Sequence, residues 1–85
     1  MNDRLRSIMS NLFGIPIEEI NEKISIENCD QWDSFQQMSL LLAIEEDFGV
    51  NLNDNEVIKM TNYKSIVSIL ESHGIQWLKK LEQLF

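Results

Sequence analysis

Few side chains in this 85-residue chain are of types that perform covalent or acid–base chemistry, and their spacing does not form a catalytic set. His73 is the only histidine and has no cysteine near it in sequence, so the sequence offers neither a catalytic triad nor a cysteine-based metal site. We expect His73 to contact the dipole at a helix C-terminus. Cys29 is the only cysteine, and we expect its thiol to be buried or inert because no basic residue is close in sequence to activate it.

Two acidic groups are weak candidates for chemistry. Glu45 and Glu46 are neighbours, and neighbouring side chains on a helix diverge, so we expect both carboxylates to be solvated rather than to share a proton. Residues 51–56 combine acids and amides, but they lack the Asp-x-Asp/Asn-x-Asp/Asn-Gly order of a calcium loop. The glutamate that stands at the end of such a loop is also missing. We therefore predict no catalytic residue, no metal site and no enzymatic activity.

The hydroxyl of Ser34, next to the carboxylate of Asp33, lies where a helix should begin. With Asp33 as the N-cap, Gln36 is the third helical residue, and with Ser34 as the N-cap, Gln37 is. Either choice gives a capping-box pattern. From the local sequence alone, an ordinary helix-capping serine is the favoured interpretation of Ser34.

Asp33 and Ser34 lie at the start of one of several predicted helices. Apolar residues recur at helical spacing and predict helices at residues 3–13, from 33 or 34 to 48, at 56–60, and from about 61 to 74. Residues 15–30 form a long loop with a short turn at 16–20 and isoleucines that could pin it to a core. The fold class is all-α, a small four-helix bundle. A further apolar set predicts an extra C-terminal helical segment at 75–85.

Chain length limits the domain count to one, because a second core could not be closed from the remaining residues. We assign this domain to residues 1–74 and treat 75–85 as part of it or as a docking tail. A single cysteine excludes an internal disulfide and favours a reducing compartment. No leader-like segment or membrane span is evident, so we expect the protein to be cytoplasmic. We also expect it to be a monomer.

The formal charge of −7 is concentrated in the middle of the chain. Residues 18–56 contain eleven acids and one base, Lys23, which gives −10 over that range. Such a surface repels phosphate backbones and anionic lipids, so we expect neither nucleic acid nor membranes as partners. Proteins with basic patches are favoured instead. Acids that merely keep a small domain soluble would explain the sign of the charge but not its clustering.

The second helix has a wider apolar arc than one buried face requires. Leu41, Ile44 and Phe48 form a stripe that would dock the helix on the bundle. We place Met38 and Leu42 outward, one and two turns after Ser34. The wide arc is explained equally well by a central, widely buried helix and by a partner-facing surface.

The pair Asp33 and Ser34, followed by Phe35 and a helix of defined sequence, resembles the Asp-Ser-Leu motif of acyl carrier proteins. The resemblance covers residues 3–74, including the long loop and the short third helix. It also includes the later part of the helix that follows the serine and the two residues after it, Leu40, Leu41, Leu42, Ala43, Ile44, Glu45, Glu46, Asp47, Phe48, Gly49 and Val50.

The resemblance implies that Ser34 is esterified to 4'-phosphopantetheine, a covalent cofactor donated by coenzyme A through a separate transferase. Its thiol would hold an acyl or aminoacyl group as a thioester, in fatty acid or secondary metabolite biosynthesis. Asp33 would cap the helix and be read by the phosphopantetheinyl transferase. Further partners would be a cargo-loading ligase or synthetase and downstream transferases. The predicted partner-binding residues are Phe35, Met38, Leu42, Glu45, Glu46 and Asp47.

This sequence departs from the family pattern just after the serine. Gln36, Gln37 and Ser39 stand where acids are common, and Trp32 stands where a small residue is common, which favours a specialised free-standing carrier. We also expect a chain on the arm to slip between the second helix and its neighbours and to raise heat stability. The alternative function is an unmodified acidic helical adaptor for protein–protein interaction, in which Ser34 has no special role.

Overall fold

The computed structural model describes residues 3–75, and four α-helices form its architecture. Their bounds are α1 Asp3–Phe13, α2 Ser34–Phe48, α3 Asp54–Lys59 and α4 Tyr63–Ser72, with a 3-10 turn at Ile17–Glu19. The all-α class, the four helices and the early turn are thus confirmed. Helix α3 begins two residues earlier than predicted. Of the predicted C-terminal segment, residues 76–85 lie outside the described residues.

Short polar side chains start three of the helices. The Oδ1 atom of Asp33 accepts from the backbone N–H of Gln36 at 2.9 Å, and Asn62 caps α4 through Ser65 at 2.8 Å. Asn53 and Glu56 form a reciprocal capping box, which explains the earlier start of α3 because Asn53 is the cap. Each cap satisfies an amide that has no partner within its helix.

A left-handed glycine ends α2. Gly49 has a φ of 68°, and its backbone N–H donates to the carbonyl of Glu45 at 3.0 Å. A residue with a Cβ is strained in this conformation, so Gly49 provides the predicted stop.

The core lies between the helices and is closed by large side chains. Trp32, in the loop just before α2, is only 2% exposed, and its ring lies 5.2 Å from that of Phe13. The buried apolar residues are Leu5, Met9, Phe13, Ile20, Ile24, Cys29, Trp32, Leu40, Ile44, Met60, Tyr63, Ile66 and Leu70. Burial of this area is the main term that stabilises so small a fold.

The long loop is held to the helices at both ends. Arg6 of α1 donates to the carbonyls of Ile17 and Ile20, both at 2.9 Å. Farther along, the carbonyl of Ile24 accepts from the N–H of Tyr63 at 3.1 Å. Ile20 and Ile24 are buried, which confirms that isoleucines pin this loop to the core. The loop is therefore attached to α1 at Ile17 and Ile20 and to the start of α4 at Ile24.

Within residues 3–75, no helix has both the length and the apolar character needed to cross a membrane.

Candidate functional site

The start of α2 separates the roles of the two residues singled out by the sequence. Asp33 is the N-cap, and Ser34 is the first residue of the helix. Ser34 is exposed, and its hydroxyl makes no hydrogen bond to any residue between 3 and 75. The choice between the two caps is thereby resolved in favour of Asp33. The Ser34 oxygen is accessible to a modifying reagent.

The backbone around Ser34 suits an anion. Two of the first amides are satisfied, because Asp33 accepts from Gln36 through its side chain and from Gln37 through its carbonyl at 2.8 Å. The N–H groups of Ser34 and Phe35 have no acceptor among the described residues. These groups and the helix dipole favour a negative group on the serine oxygen. A phosphodiester therefore fits here.

An exposed apolar surface lies beside Ser34 on α2. Phe35, Met38 and Leu42 are 77%, 57% and 61% exposed, whereas Leu40 and Ile44 are fully buried. The outward placement of Met38 and Leu42 is thus confirmed. We call Phe35, Met38 and Leu42 the apolar ridge. It follows the serine for two helical turns, within reach of any protein that contacts Ser34.

Sequence reasoning missed a further exposed apolar residue, Ile58 on α3, which is 72% exposed. Its signal was available. Val57 and Ile58 are adjacent in a helix that is otherwise polar, and adjacent helical side chains cannot both face the same core. Val57 is half-buried, and Ile58 is the one that faces outward.

The three acids at the end of α2 differ in their surroundings. The Oε2 atom of Glu45 accepts from the N–H of Leu52 at 2.9 Å, and Asp47 forms an ion pair with Arg4 at 2.9 Å. Glu46 is exposed and makes no hydrogen bond or ion pair with any described residue. Glu46 is therefore the most available of the three for a basic partner.

Gln36 and Gln37, which replace the acids common after the serine, turn toward the protein itself. Nε2 of Gln36 donates to the carbonyl of Leu12 at 2.9 Å. Nε2 of Gln37 donates to the carbonyl of Met60 at 2.8 Å, while its Oε1 accepts from the Trp32 indole at 2.6 Å. Both side chains are half-buried, as is Ser39. The glutamines therefore link helices, a role that the sequence did not reveal.

The other candidates for chemistry have structural surroundings. Cys29 is buried as predicted, and its thiol lies 3.5 Å from Oε1 of Gln31. His73 does lie at a helix end, but its Nε2 is hydrogen-bonded to Oε2 of Glu56 at 2.8 Å, which joins α4 to α3. The pKa of the Glu56 carboxyl is lowered, chiefly by the hydrogen bond from the Asn53 backbone and further by His73. This contact was not predicted.

Comparisons with known proteins agree with this geometry. A family model described as a phosphopantetheine attachment site matches residues 3–71. The chain is similar to acyl carrier protein 2, mitochondrial, of Arabidopsis thaliana, with 27% identity over 73 residues. That match covers 86% of this chain and 58% of the relative. It is also similar to an acyl carrier protein of Zymomonas mobilis, with 30% identity over 71 residues, covering 84% of this chain and 91% of the relative.

Proposed function

Because the chain belongs to the phosphopantetheine attachment site family of carrier proteins, we propose that it holds an acyl or aminoacyl group on an arm attached to Ser34. The arm is 4'-phosphopantetheine, and the protein delivers the group to partner enzymes without a catalytic step of its own. The observation that supports this most is the Ser34 hydroxyl at the first turn of α2, which is exposed and has no hydrogen bond to any of the residues 3–75.

Asp33 and Ser34 have different tasks in this proposal. Asp33 fixes the start of α2 through its bond to Gln36, so that the Ser34 oxygen is held at a defined place and is not used as a cap. Transfer forms a bond between that oxygen and the phosphorus of coenzyme A that bears the pantetheine. The pyrophosphate bond breaks, adenosine 3',5'-bisphosphate leaves, and the serine proton passes to the transferase. When bound, the arm supplies the thiol for the thioester.

The helix start also favours the modified state. The phosphodiester has a negative charge, and the N–H groups of Ser34 and Phe35, which have no acceptor among residues 3–75, lie at the positive end of the α2 dipole. The anion would satisfy donors that otherwise depend on water. We therefore expect modification to stabilise α2 rather than to disturb it.

Partner enzymes would approach along α2. The apolar ridge offers area to bury, and Glu46 offers a charge that has no partner within the described part of the chain. Glu45 and Asp47 remain in the proposed surface, but each already holds a contact within the protein. The partners we propose are a phosphopantetheinyl transferase, a loading ligase or synthetase and downstream transferases. Residence in the cytoplasm stays a prediction, since one relative is named as mitochondrial.

The proposal is tested by intact-mass analysis after incubation with coenzyme A, magnesium and a broad-specificity transferase. We expect the wild-type protein to gain the mass of one arm and Ser34→Ala to gain none. Ser39→Ala, a serine on the same helix, is the matched control and should be modified like the wild type. No gain in the wild type, or an equal gain in Ser34→Ala, would refute the proposal and leave the adaptor function as the alternative.

A further inference from the structure

Near Ser34, α2 contacts the end of α1 on one side and the end of α3 on the other, and we call these two lines of contact the seams. A group tethered at Ser34 would reach the core most directly through one of them. Gln36 and Gln37 come two and three residues after the serine, and on a helix these positions flank the buried face on opposite sides. Each seam therefore has one glutamine at the end nearest the serine.

The seam toward α1 is bridged by Gln36. Its amide donates to the carbonyl of Leu12, in the last turn of α1, at 2.9 Å. The carbonyls of the last helical turn have no N–H donor within their own helix, so Gln36 provides a donor that water would otherwise have to supply. The bond joins the N-terminal end of α2 to the C-terminal end of α1.

The seam toward α3 is bridged more firmly by Gln37. Its Nε2 donates to the carbonyl of Met60 at 2.8 Å and lies 3.4 Å from that of Val57, both at the end of α3. Its Oε1 accepts from the buried indole N–H of Trp32 at 2.6 Å. Opening this seam would leave the indole N–H and the carbonyls without partners in surroundings shielded from water, which opposes opening.

The core behind the seams consists of buried side chains. Trp32 packs on Phe13, and Leu40, Ile44 and Met60 line the same region with no exposed surface. An added chain would have to move buried side chains as well as break the glutamine bridges, and forcing extra volume among core side chains is unfavourable.

We propose that Gln36 and Gln37 are specificity-determining residues that keep the cargo outside the helical core, so that this carrier suits short or polar acyl groups rather than long aliphatic ones. The inference rests on the proposed attachment at Ser34. It replaces the sequence-based expectation that a chain on the arm slips beside α2 and stabilises the fold. A short or polar group gains little from burial, so solvent exposure on the arm is its natural state.

The test compares wild-type protein loaded with an acetyl or an octanoyl group by a broad-specificity transferase. We expect equal Tm values, within about 1 °C, and unchanged amide NMR signals for Ile44 and Ile66 in the core. A rise of about 4 °C or more with octanoyl, or shifted core signals, would overturn the proposal. This comparison needs no variant, so it does not depend on whether a mutant folds.

A variant then tests the role of Gln37. Gln37→Met keeps the approximate length of the side chain but removes both bridging functions, so octanoyl should raise its Tm and shift its core signals. Gln31→Met makes the same chemical change at an exposed position and should behave as the wild type does. Equal Tm values for acetyl and octanoyl Gln37→Met, with unshifted core signals, would contradict the role of Gln37.

Failure of this inference is distinguishable from failure of the proposed function. If Ser34 is not the attachment site, the intact mass of Ser34→Ala rises like that of the wild type. This result is known before any melting experiment is done. If the mass rises only with Ser34 present but octanoyl stabilises the wild type, the attachment site stands and the exclusion of long chains is wrong.

Discussion

At the scale of single residues, the neighbours Asp33 and Ser34 have different roles at the start of α2. Asp33 provides the cap and the Ser34 hydroxyl bonds none of the described residues, although a serine is itself a good N-cap. A carboxylate in the cap position also has a favourable interaction with the helix dipole. The serine hydroxyl can therefore be modified without loss of a bond that holds the helix.

Asp33→Ala should destabilise the fold. Loss of the cap costs about 1 kcal/mol, which corresponds to a fall in Tm of roughly 4 to 8 °C in a domain of this size. Asp33→Asn keeps an acceptor oxygen and should stay close to the wild type. Thermal melts of the three proteins check this. If Asp33→Asn melts as low as Asp33→Ala, the cap is not what Asp33 contributes.

Arg6 and Arg4 allow a second test of a residue's role. The guanidinium of Arg6 is largely buried and bonds two loop carbonyls, whereas that of Arg4 is mostly exposed in its pair with Asp47. We expect Arg6→Met to lower the free energy of unfolding by about 2 kcal/mol. Arg4→Met should lower it by less than about 1 kcal/mol, since exposed ion pairs contribute little. Urea unfolding measures both, and equal losses would contradict the role given to Arg6.

At the scale of the elements, side-chain bridges join the short helices to one another. Gln36 links α2 to α1, Gln37 links α2 to α3, and Glu56 links α3 to the end of α4 through His73. Helix α3 has only six residues, so it depends on such contacts and on its capping box rather than on helical propensity. The position of α3 should be the first to respond when these bridges are altered.

The bridge through Glu56 predicts a dependence on acid. The folded-state pKa of Glu56 is below its ordinary value of 4.5, so its ionised form stabilises the fold. That stability is fully present above pH 4.5 and is lost as the pH falls through the lowered folded-state pKa. Glu56→Gln should therefore have a lower Tm at pH 7 and a weaker fall in Tm below pH 4.5.

Glu46→Gln is the matched control, because the carboxylate of Glu46 has no hydrogen bond or ion pair with the described residues. It should melt as the wild type does across the same range of pH. A Glu56→Gln protein with an unchanged acid profile would show that this carboxylate does not couple to folding.

At the scale of the whole molecule, the charge pattern sets how partners arrive. The chain has a net charge of −7, and part of its acidic surface is neutralised internally, as at Asp47 with Arg4. Acids that pair with none of the residues 3–75, such as Glu46, contribute most to the attraction of a basic partner. Steering by such charges weakens with ionic strength, because the Debye length falls to about 10 Å at 0.1 M salt.

The rate of modification by a basic transferase should thus fall as salt is raised. Glu46→Gln should reduce that rate more than Asp47→Asn, measured as the initial rate of mass gain at low salt. The converse order would mean that the Arg4 pair does not withdraw Asp47 from the docking surface.

Sequence reasoning reached the helices and the serine for clear physical reasons. Periodic apolar residues and capping side chains specify α1, α2 and α4 locally, and the isoleucines that pin the loop follow the same rule. The bridges of Gln36 and Gln37 were not predictable, because a glutamine side chain is equally stable when water hydrates it at the surface. The acceptors also lie at least 20 residues away in sequence. The pairing of Glu56 with His73 is likewise a product of tertiary packing.

Attachment of the arm at Ser34 can be checked by fragment-mass mapping of the protein purified from its natural host. We expect a peptide containing Ser34 that bears phosphopantetheine, with or without an acyl group, and no modification at Ser39. Discovery of the arm on another residue, or of Ser34 unmodified in cells that contain an active transferase, would contradict it.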